Sequence, residues 1–480
     1  MPIIEVENLY FTHAFSKSPI LKNLNLSVER GSIAALIGES GCGKTTLMTA
    51  LLGLIPEFIK GEIRGCIRIA GSDNPRKFRK HIEPVLQNPD TQLLSIRVKE
   101  EVISQLGRDG AGRIEKQHKA EEILDGFGLA HLAERRTDTL SWGEKQRLAL
   151  ACALAPQPDI LLLDEPLSAL DPVARVKLLE RLKEINRILG TTIIIVEHEV
   201  TLMRQFADCV YLFNDGKLEN RTEGLKSVDP EYHGCCFDPN TAEELIGAEG
   251  ICHEYSRNVQ VLHDINADLR RKECVAVVGP NGAGKSTLAK CLSNLITPTA
   301  GEIRISGKSV RNAQRKEVAR RLGITFQNPD NQLFAQTVRD ECLFAATNFG
   351  TPFSDAEKAL AAIADALKIQ DLFDRSPMTL SHGEKKRVAL AGAMIHKPDV
   401  LILDEPIAGL DQWNSERVLS LLQDAQHSGM GMIFITHDIS LVNNLATRVI
   451  FLKRGRKELD CSNQQFFDGD WRSYYLDACF

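Results

Sequence analysis

Two stretches of this chain set glycines, a lysine and a hydroxyl at the same spacing. The first is Gly38-Glu39-Ser40-Gly41-Cys42-Gly43-Lys44-Thr45, followed by Thr46; the second is Gly279-Pro280-Asn281-Gly282-Ala283-Gly284-Lys285-Ser286, followed by Thr287. Both read G-x-x-x-x-G-K-[ST]. Glycines let successive backbone N–H groups close around an anion, and a helix starting at the lysine adds the positive end of its dipole. The lysine brings a full charge to the outer phosphates of a nucleotide, and Thr45 or Ser286 offers a hydroxyl to Mg²⁺. Two carboxylate pairs accompany them: Asp164-Glu165 and Asp404-Glu405 each close an apolar run. A carboxylate at the carboxyl end of a buried parallel strand faces the ligand crevice of an open α/β sheet. The aspartate suits Mg²⁺, and the glutamate beside it is placed to orient or deprotonate a water. A third stretch, Leu140-Ser141-Trp142-Gly143-Glu144-Lys145-Gln146-Arg147, recurs as Leu380-Ser381-His382-Gly383-Glu384-Lys385-Lys386-Arg387. Each serine is a natural N-cap for the amphipathic helix that follows, which makes a second helix end able to hold an anion.

These residues need strands to carry them. Ile33-Ala34-Ala35-Leu36-Ile37 and Cys274-Val275-Ala276-Val277-Val278 lead into the two phosphate loops; Ile160-Leu161-Leu162-Leu163 and Val400-Leu401-Ile402-Leu403 lead into the carboxylates. Continuous apolar runs of this length mark strands buried on both faces of a parallel sheet. Residues 175–189 read as a helix between the 160–163 and 193–196 strands, a βαβ crossover. The fold class is therefore α/β, twice. Gln87 and Gln327, Ser141 and Ser381, and Asp164 and Asp404 all lie 240 residues apart, half the chain's 480. The duplication accounts for nearly everything. It sets domain one at 1–235 and domain two at 236–480, with a short connection and no long inserted arm.

The formal charge of −6 at pH 7 offers no whole-chain reason to expect nucleic acid. No apolar run approaches the ~18 residues of a membrane span, and the start Met1-Pro2-Ile3-Ile4-Glu5 lacks a signal pattern. The expectation is a chain in the cytosol that meets membranes only through partners. The twelve cysteines are scattered and read as reduced thiols. Cys235-Cys236, near His233 and Cys252, lacks the spacing of a metal site. Cys42, inside a phosphate loop, would obstruct the nucleotide if alkylated.

The order phosphate loop, Gln87, L-S-x-G-E, Asp164-Glu165, Ser168-Ala169-Leu170-Asp171 and His198, repeated in the second half, resembles the ATPase domain of the ABC superfamily. The resemblance covers essentially all of both halves. It implies two tandem P-loop NTPase domains, each with a mostly parallel sheet, a small antiparallel β region and a helical subdomain, binding ATP and Mg²⁺. It also implies intramolecular head-to-tail pairing. Site one would then hold residues 38–46, Gln87, Asp164, Glu165 and His198, capped by Ser381, His382, Gly383 and Glu384. Site two would hold residues 279–287, Gln327, Asp404, Glu405 and His437, capped by Ser141, Trp142, Gly143 and Glu144. Glu165, His198, Glu405 and His437 take the catalytic roles. Thr45, Gln87 and Asp164, with Ser286, Gln327 and Asp404, take the metal; Asp171 and Asp411 couple the sites. The family's adenine-stacking aromatic maps to Tyr255 in the second half, and to His13 or Phe11 in the first. Trp142 and His382 stand where the family usually has glycine, and their bulk weighs on closure or on the cap. Both halves keep glutamate and histidine, so two hydrolytically competent sites are expected.

Gln87-Asn88-Pro89-Asp90-Thr91-Gln92-Leu93 recurs as Gln327-Asn328-Pro329-Asp330-Asn331-Gln332-Leu333. Asn-Pro-Asp reads as a turn, with the second glutamine beginning a new short helix. The paired loops resemble those of the energy-coupling-factor ATPases. That resemblance implies an importer of a vitamin, vitamin precursor, cobalt or nickel, with a separate transmembrane coupling subunit and a substrate-binding membrane subunit. The chain would sit peripherally on the cytoplasmic face of the membrane. Two alternatives stand beside it: a soluble tandem ATPase of translation or repair, which would carry a long arm or zinc insertions, and the fused ATPase of a sugar importer. The aromatic tail, Trp471 to Tyr475, is expected to pack on its own half.

Overall fold

The computed structural model describes residues 2–14, 16, 18–38, 42–86, 89–106, 112–140, 142–167, 170, 172–197, 200–222, 242–256, 259–311, 313–471 and 473. Residues 1–170 and 174–228 pack as one compact unit, and residues 229–480 as a second. The boundary expected at 235/236, with Cys235 and Cys236, falls outside the described residues.

The first unit opens with β1 (Pro2–His13), β2 (Leu21–Glu29), β3 (Ile33–Gly38), α1 (Lys44–Leu51), β4 (Gly61–Ile69), α2 (Pro75–Phe78) and β5 (Ile82–Val85). Then come α3 (Val98–Gln105), α4 (Arg113–Gly126), α5 (Trp142–Leu154), β6 (Ile160–Asp164) and α6 (Pro172–Leu189). It closes with β7 (Thr192–Glu197), α7 (Val200–Phe206), β8 (Cys209–Asn214) and β9 (Lys217–Asn220). Six strands lie in the order β5-β6-β7-β3-β8-β9, parallel except at the β8–β9 edge, and β2-β1-β4 form an antiparallel sheet. The strand after the α6 crossover, β7, lies beside β6, as the apolar runs require.

Alternation of side chains explains why these runs are apolar throughout. Leu161, Leu163, Ile193, Ile195 and Ile33 pack on one face of the sheet, while Ile160, Leu162, Ile194, Val196 and Leu36 pack on the other. Each such fully buried aliphatic side chain contributes about 1.5–3 kcal/mol. The helical layer of this unit has a cluster of its own, Val98, Val102, Leu124, Leu148 and Cys152 among its members. Partly buried Leu93 and Phe127 pack against both that cluster and the sheet's.

The second unit repeats the plan with β10 (Glu244–Ser256), β11 (Val259–Arg270), β12 (Cys274–Val278), α8 (Lys285–Leu292), β13 (Ala300–Ile305) and β14 (Lys308–Ser309). Next are α9 (Arg315–Arg321), β15 (Leu322–Thr325), α10 (Val338–Phe349), α11 (Phe353–Leu367), α12 (His382–Met394) and β16 (Val400–Asp404). Last are α13 (Gln412–His427), β17 (Gly431–Ile435), α14 (Ile439–Leu445), β18 (Arg448–Lys453), β19 (Arg456–Ser462) and α15 (Asn463–Asp468). Its main sheet runs β15-β16-β17-β12-β18-β19, and its antiparallel sheet β11-β10-β13-β14. Here one apolar cluster joins sheet residues such as Leu401 and Phe434 to helical ones such as Val338, Leu360 and Leu367. Trp471 packs on that cluster, its ring stacked at 6.3 Å from Phe466; the rest of the aromatic tail apart from Ser473 lies outside the described residues. Among the described residues no helix is long and apolar enough to cross a membrane.

Candidate functional site

The phosphate loops join a central strand to the helix that follows, β3 to α1 and β12 to α8. Gly279 has φ +143°, and a Cβ there would lie 2.1 Å from the Leu452 carbonyl oxygen. Gly284 has φ +97°, and a Cβ there would lie 2.9 Å from Leu262 Cδ2. Only glycine fits a backbone that turns this tightly against its neighbours. Both loop lysines are buried and curl back over their own loops. Lys44 Nζ donates to the Gly38 carbonyl at 2.6 Å, and Lys285 Nζ to those of Gly279 and Pro280 at 2.8 and 2.9 Å. Cys42 Sγ is 4.0 Å from Lys44 Nζ, so the thiol belongs to the same concavity. Glu39, Ser40 and Gly41 lie outside the described residues, as do Gln87, Ser141, Asp171 and His198.

The carboxylates sit where the parallel strands end. Glu165 and Glu405 both adopt left-handed backbone, φ +46° and +52°, and both N–H groups donate to the neighbouring strand, to Val196 and Ile435 at 2.9 Å. A non-glycine residue held there stores of order 1–3 kcal/mol, which the packed strands sustain. Burial pushes the Asp404 carboxyl above the ordinary range, against a hydrogen bond from Ser286 and the charge of Lys285. Thr45, Asp164, Ser286 and Asp404 present hard oxygen donors of the kind Mg²⁺ prefers. Among the described residues no group of three His, Cys, Asp or Glu could hold a metal unaided.

The second half brings five predicted groups together: Lys285, Ser286, Asp404, Glu405 and His437, the last with Nε2 3.6 Å from Glu405 Oε1. Sequence reasoning missed a member of this cluster. Thr436, fully buried, donates from Oγ1 to Glu405 Oε2 at 3.3 Å and accepts from Asp438 N at 3.0 Å. Its counterpart in the first half is Glu197, also buried, whose Oε1 accepts from Leu167 N at 2.9 Å. The repeat offset pairs these two positions, but nothing in the strand pattern marks them as polar.

Ser381 caps α12 in a reciprocal box: its Oγ accepts from Glu384 N at 3.3 Å, and Glu384 Oε2 accepts from Ser381 N at 2.7 Å. Such a box leaves the other N–H groups of the first turn available to an anion. His382 is exposed, and Gly383 lies against Leu410. Gln327 is exposed just beyond β15, the strand beside β16. Asp411 caps α13 through Asn414 N at 2.8 Å. Gly143 and Glu144 fall in the first turn of α5.

The strand ends decide between His13 and Phe11. Tyr255 is 55% exposed and its hydroxyl lies 3.3 Å from Thr287 Oγ1, over the start of α8. It meets His253 edge-on at 4.7 Å, and His13 meets Phe11 edge-on at 4.8 Å at the matching end of β1. Phe11 is fully buried, so His13 is the residue in Tyr255's place.

One expectation needs correction. The second glutamine does not begin a helix: Pro89–Thr91 and Pro329–Asn331 are single 3₁₀ turns that it closes. Its side chain reaches back to the preceding strand, Gln92 Nε2 donating to Pro84 O at 2.8 Å and Gln332 Nε2 to Ile324 O at 3.0 Å. A proline already fixes the first turn residue, so the helix starts there. Asp90 pairs with Lys145 and Asp330 with Lys385, both at 2.6 Å, tying each loop to the helix after L-S-x-G-E. Buried Glu101 accepts from Leu94 and Ser95 N–H groups, and buried Glu341 from Phe334 and Ala335.

The chain is similar to several known proteins. The sequence model of the ABC transporter family matches residues 21–168 and again 262–408. A protein of Methanosarcina mazei, provisionally named an ABC transporter ATP-binding protein, is 33% identical over 482 residues, 96% of this chain and 95% of its own length. One of Bacillus subtilis, provisionally named an HMP/thiamine import ATP-binding protein, is 28% identical over 97% of this chain and 92% of its own. Among solved structures, cbiO1 of Clostridium perfringens, described as part of the ABC transporter complex cbiONQ, matches 47% of this chain and 91% of its own at 34% identity and a TM-score of 0.43. With the family's loops and carboxylates present twice and matched twice, this chain belongs to the ABC transporter family, as an ATPase that carries two ATP-binding domains in one polypeptide.

Proposed function

We propose that this ATPase energises an importer of the energy-coupling-factor type that takes up a vitamin, a vitamin precursor or a transition-metal ion. It would do so from the cytoplasmic face of the membrane, through a separate transmembrane coupling subunit and a substrate-binding membrane subunit. The observation that carries the reading is the turn built twice, at Pro89–Thr91 and at Pro329–Asn331. In each half an ion pair, a glutamine and a buried glutamate brace the turn while the residues after it present apolar side chains outward: Leu94 and Ile96 in the first, Phe334 in the second. A braced turn with exposed apolar residues suits a partner's helix better than solvent. The name of the Bacillus subtilis relative points to the same class of cargo.

In this reading the halves pair head to tail, and each triphosphate lies between one phosphate loop and the opposite L-S-x-G-E helix end. Two helix dipoles and a lysine converge on one anion, so binding draws the halves together and loss of phosphate releases them. Glu165 and Glu405 orient the attacking water, with His198 and His437 at the γ-phosphate. Thr45, Gln87 and Asp164 in one site, and Ser286, Gln327 and Asp404 in the other, would hold a magnesium ion, which when bound would supply positive charge to the phosphates. Tyr255 stacks on one adenine and His13 faces the other.

The test is co-purification with the membrane subunits from the native membrane. Leu94→Asp with Phe334→Asp should strip those subunits away while basal ATPase activity stays. Sedimentation of the chain with ribosomes, and no recovery of membrane protein, would overturn the reading in favour of a soluble ATPase.

A further inference from the structure

Lys386 lies five positions after Ser381 on α12, yet its ammonium is turned inward and buried. Its Nζ donates to the Glu405 carbonyl at 2.8 Å and to the Ala408 carbonyl at 2.7 Å, and it lines a small cavity with Thr325, Asp404 and Glu405. In the first half the same position is Gln146, also buried, whose Nε2 donates to the Pro166 carbonyl next to Glu165. Gln146 Oε1 has no hydrogen-bond partner among the described residues. Both halves therefore use a side chain of the L-S-x-G-E helix to grip the backbone of the turn after the catalytic strand. The grip is a charged donor to two carbonyls in one half and a neutral donor to the Pro166 carbonyl in the other, where Ser168, the counterpart of Ala408, lies outside the described residues.

We infer that Lys386 is a positioning residue that links the Ser381–Glu384 helix end, which caps one ATP, to the backbone of Glu405, which acts on the other ATP; Gln146 makes the reverse link more weakly. The inference rests on the head-to-tail pairing proposed above. Helix and turn belong to one half, so a shift of α12 on gaining or losing phosphate reaches both the Glu405 and Ala408 ends of the turn. Glu405 already holds left-handed backbone, and its carboxylate direction follows the peptide planes that Lys386 fixes. Coupling expressed in turnover need not be equal in both directions, and the two grips differ in the direction that favours control of Glu405.

Burial pushes the Lys386 ammonium down to about 8, against the pull of Glu405 and Asp404. The charged groups around it are those two carboxylates, with Lys285 beside Asp404 and His437 3.6 Å from Glu405. Loss of the proton weakens the hold on both carbonyls, so Glu405-dependent turnover gains an alkaline limb.

The experiment uses the full chain carrying Glu165→Gln, in which turnover depends on Glu405. There Lys386→Met should lower kcat about fivefold to tenfold with KM little changed, the scale of losing buried hydrogen bonds. The alkaline limb should vanish in Lys386→Met, and Lys386→Arg should restore most of kcat while moving the limb upward. Lys386→Gln, which copies the first half, should fall between, and it carries the comparison if Lys386→Met does not fold. A kcat and pH profile equal to the parent's in either neutral variant, or equal losses in the arginine and methionine variants, would overturn the inference. The pairing itself is read separately: Ser381→Ala in a Glu405→Gln chain should abolish Glu165-dependent turnover. If it does not, the halves do not share sites, and the Lys386 result then reports on one half alone.

Discussion

Replacing Thr436 with valine keeps the shape of a fully buried side chain and deletes one hydroxyl. That hydroxyl makes two bonds, to Glu405 Oε2 at 3.3 Å and from Asp438 N at 3.0 Å. A hydrogen bond to a charged group contributes about 1.5–3 kcal/mol, and the first of these is long, so about 1.5 kcal/mol is the fair value. If the bond aims the carboxylate at the attacking water, its loss falls on the transition state and lowers kcat about tenfold. The unsatisfied Asp438 N–H costs about 1 kcal/mol of stability, a fall in Tm of about 2–4 °C for a unit of this size. Steady-state ATPase measured in the Glu165→Gln chain isolates the effect, and Thr436→Ser should retain most of the activity. A kcat within twofold of the parent, together with the expected drop in Tm, would refute the reasoning: Thr436 would then hold the turn without aiming the glutamate.

Three further outcomes are expected. Glu165→Gln and Glu405→Gln, made separately, should each reduce ATPase activity, because both halves keep the same strand-end glutamate geometry; an undiminished rate in either would leave a single competent site. Gly279→Ala should abolish the second phosphate loop's binding of a labelled ATP analogue, since its Cβ would lie 2.1 Å from the Leu452 carbonyl oxygen; unchanged affinity would count against the packing described. Asp159 is held below the ordinary carboxylate range: burial opposes ionisation, yet hydrogen bonds from His81 at 2.5 Å and Arg30 at 2.8 Å outweigh it. Its contribution is therefore full above the unfolded value, about 3.9, and is lost as pH falls through the lower folded value. Thermal melts of Asp159→Asn against pH should show a shallower loss of Tm below about pH 4 than the parent does.

Much of the fold was legible because its signals are strong and local. The apolar runs at Ile160–Leu163 and Ile193–Val196 are buried on both faces, and such strands announce themselves without periodicity. Ser381 was readable as a cap because a capping box needs only residues three apart. Other features depend on register or on distant packing. Phe11 and His13 lie two residues apart on β1, the central strand of its sheet, so alternation puts both on one face, and only the packing at the strand end shows that Phe11 is the buried one. The Gln92 contact to Pro84 bridges back across the turn, and a turn signal alone does not say where its glutamine goes. Thr436, Glu197 and Lys386 escaped notice because a polar residue at a strand end, or a lysine on a helix, is usually solvated. Only the fold turns these inward.

The helical layer of the first half, with its own apolar cluster joined to the sheet's through Leu93 and Phe127, has a further consequence. In the second half one cluster runs from the helices onto one face of the sheet, with a second cluster on the other face, so its helices should open together with the sheet, whereas the helical layer of the first half should open on its own. Amide hydrogens of α3 and α4 should therefore exchange well ahead of those in β6 and β7, while α10 and β16 keep pace with each other. Among the described residues, one half thus carries a seam between its helices and its sheet that the other does not.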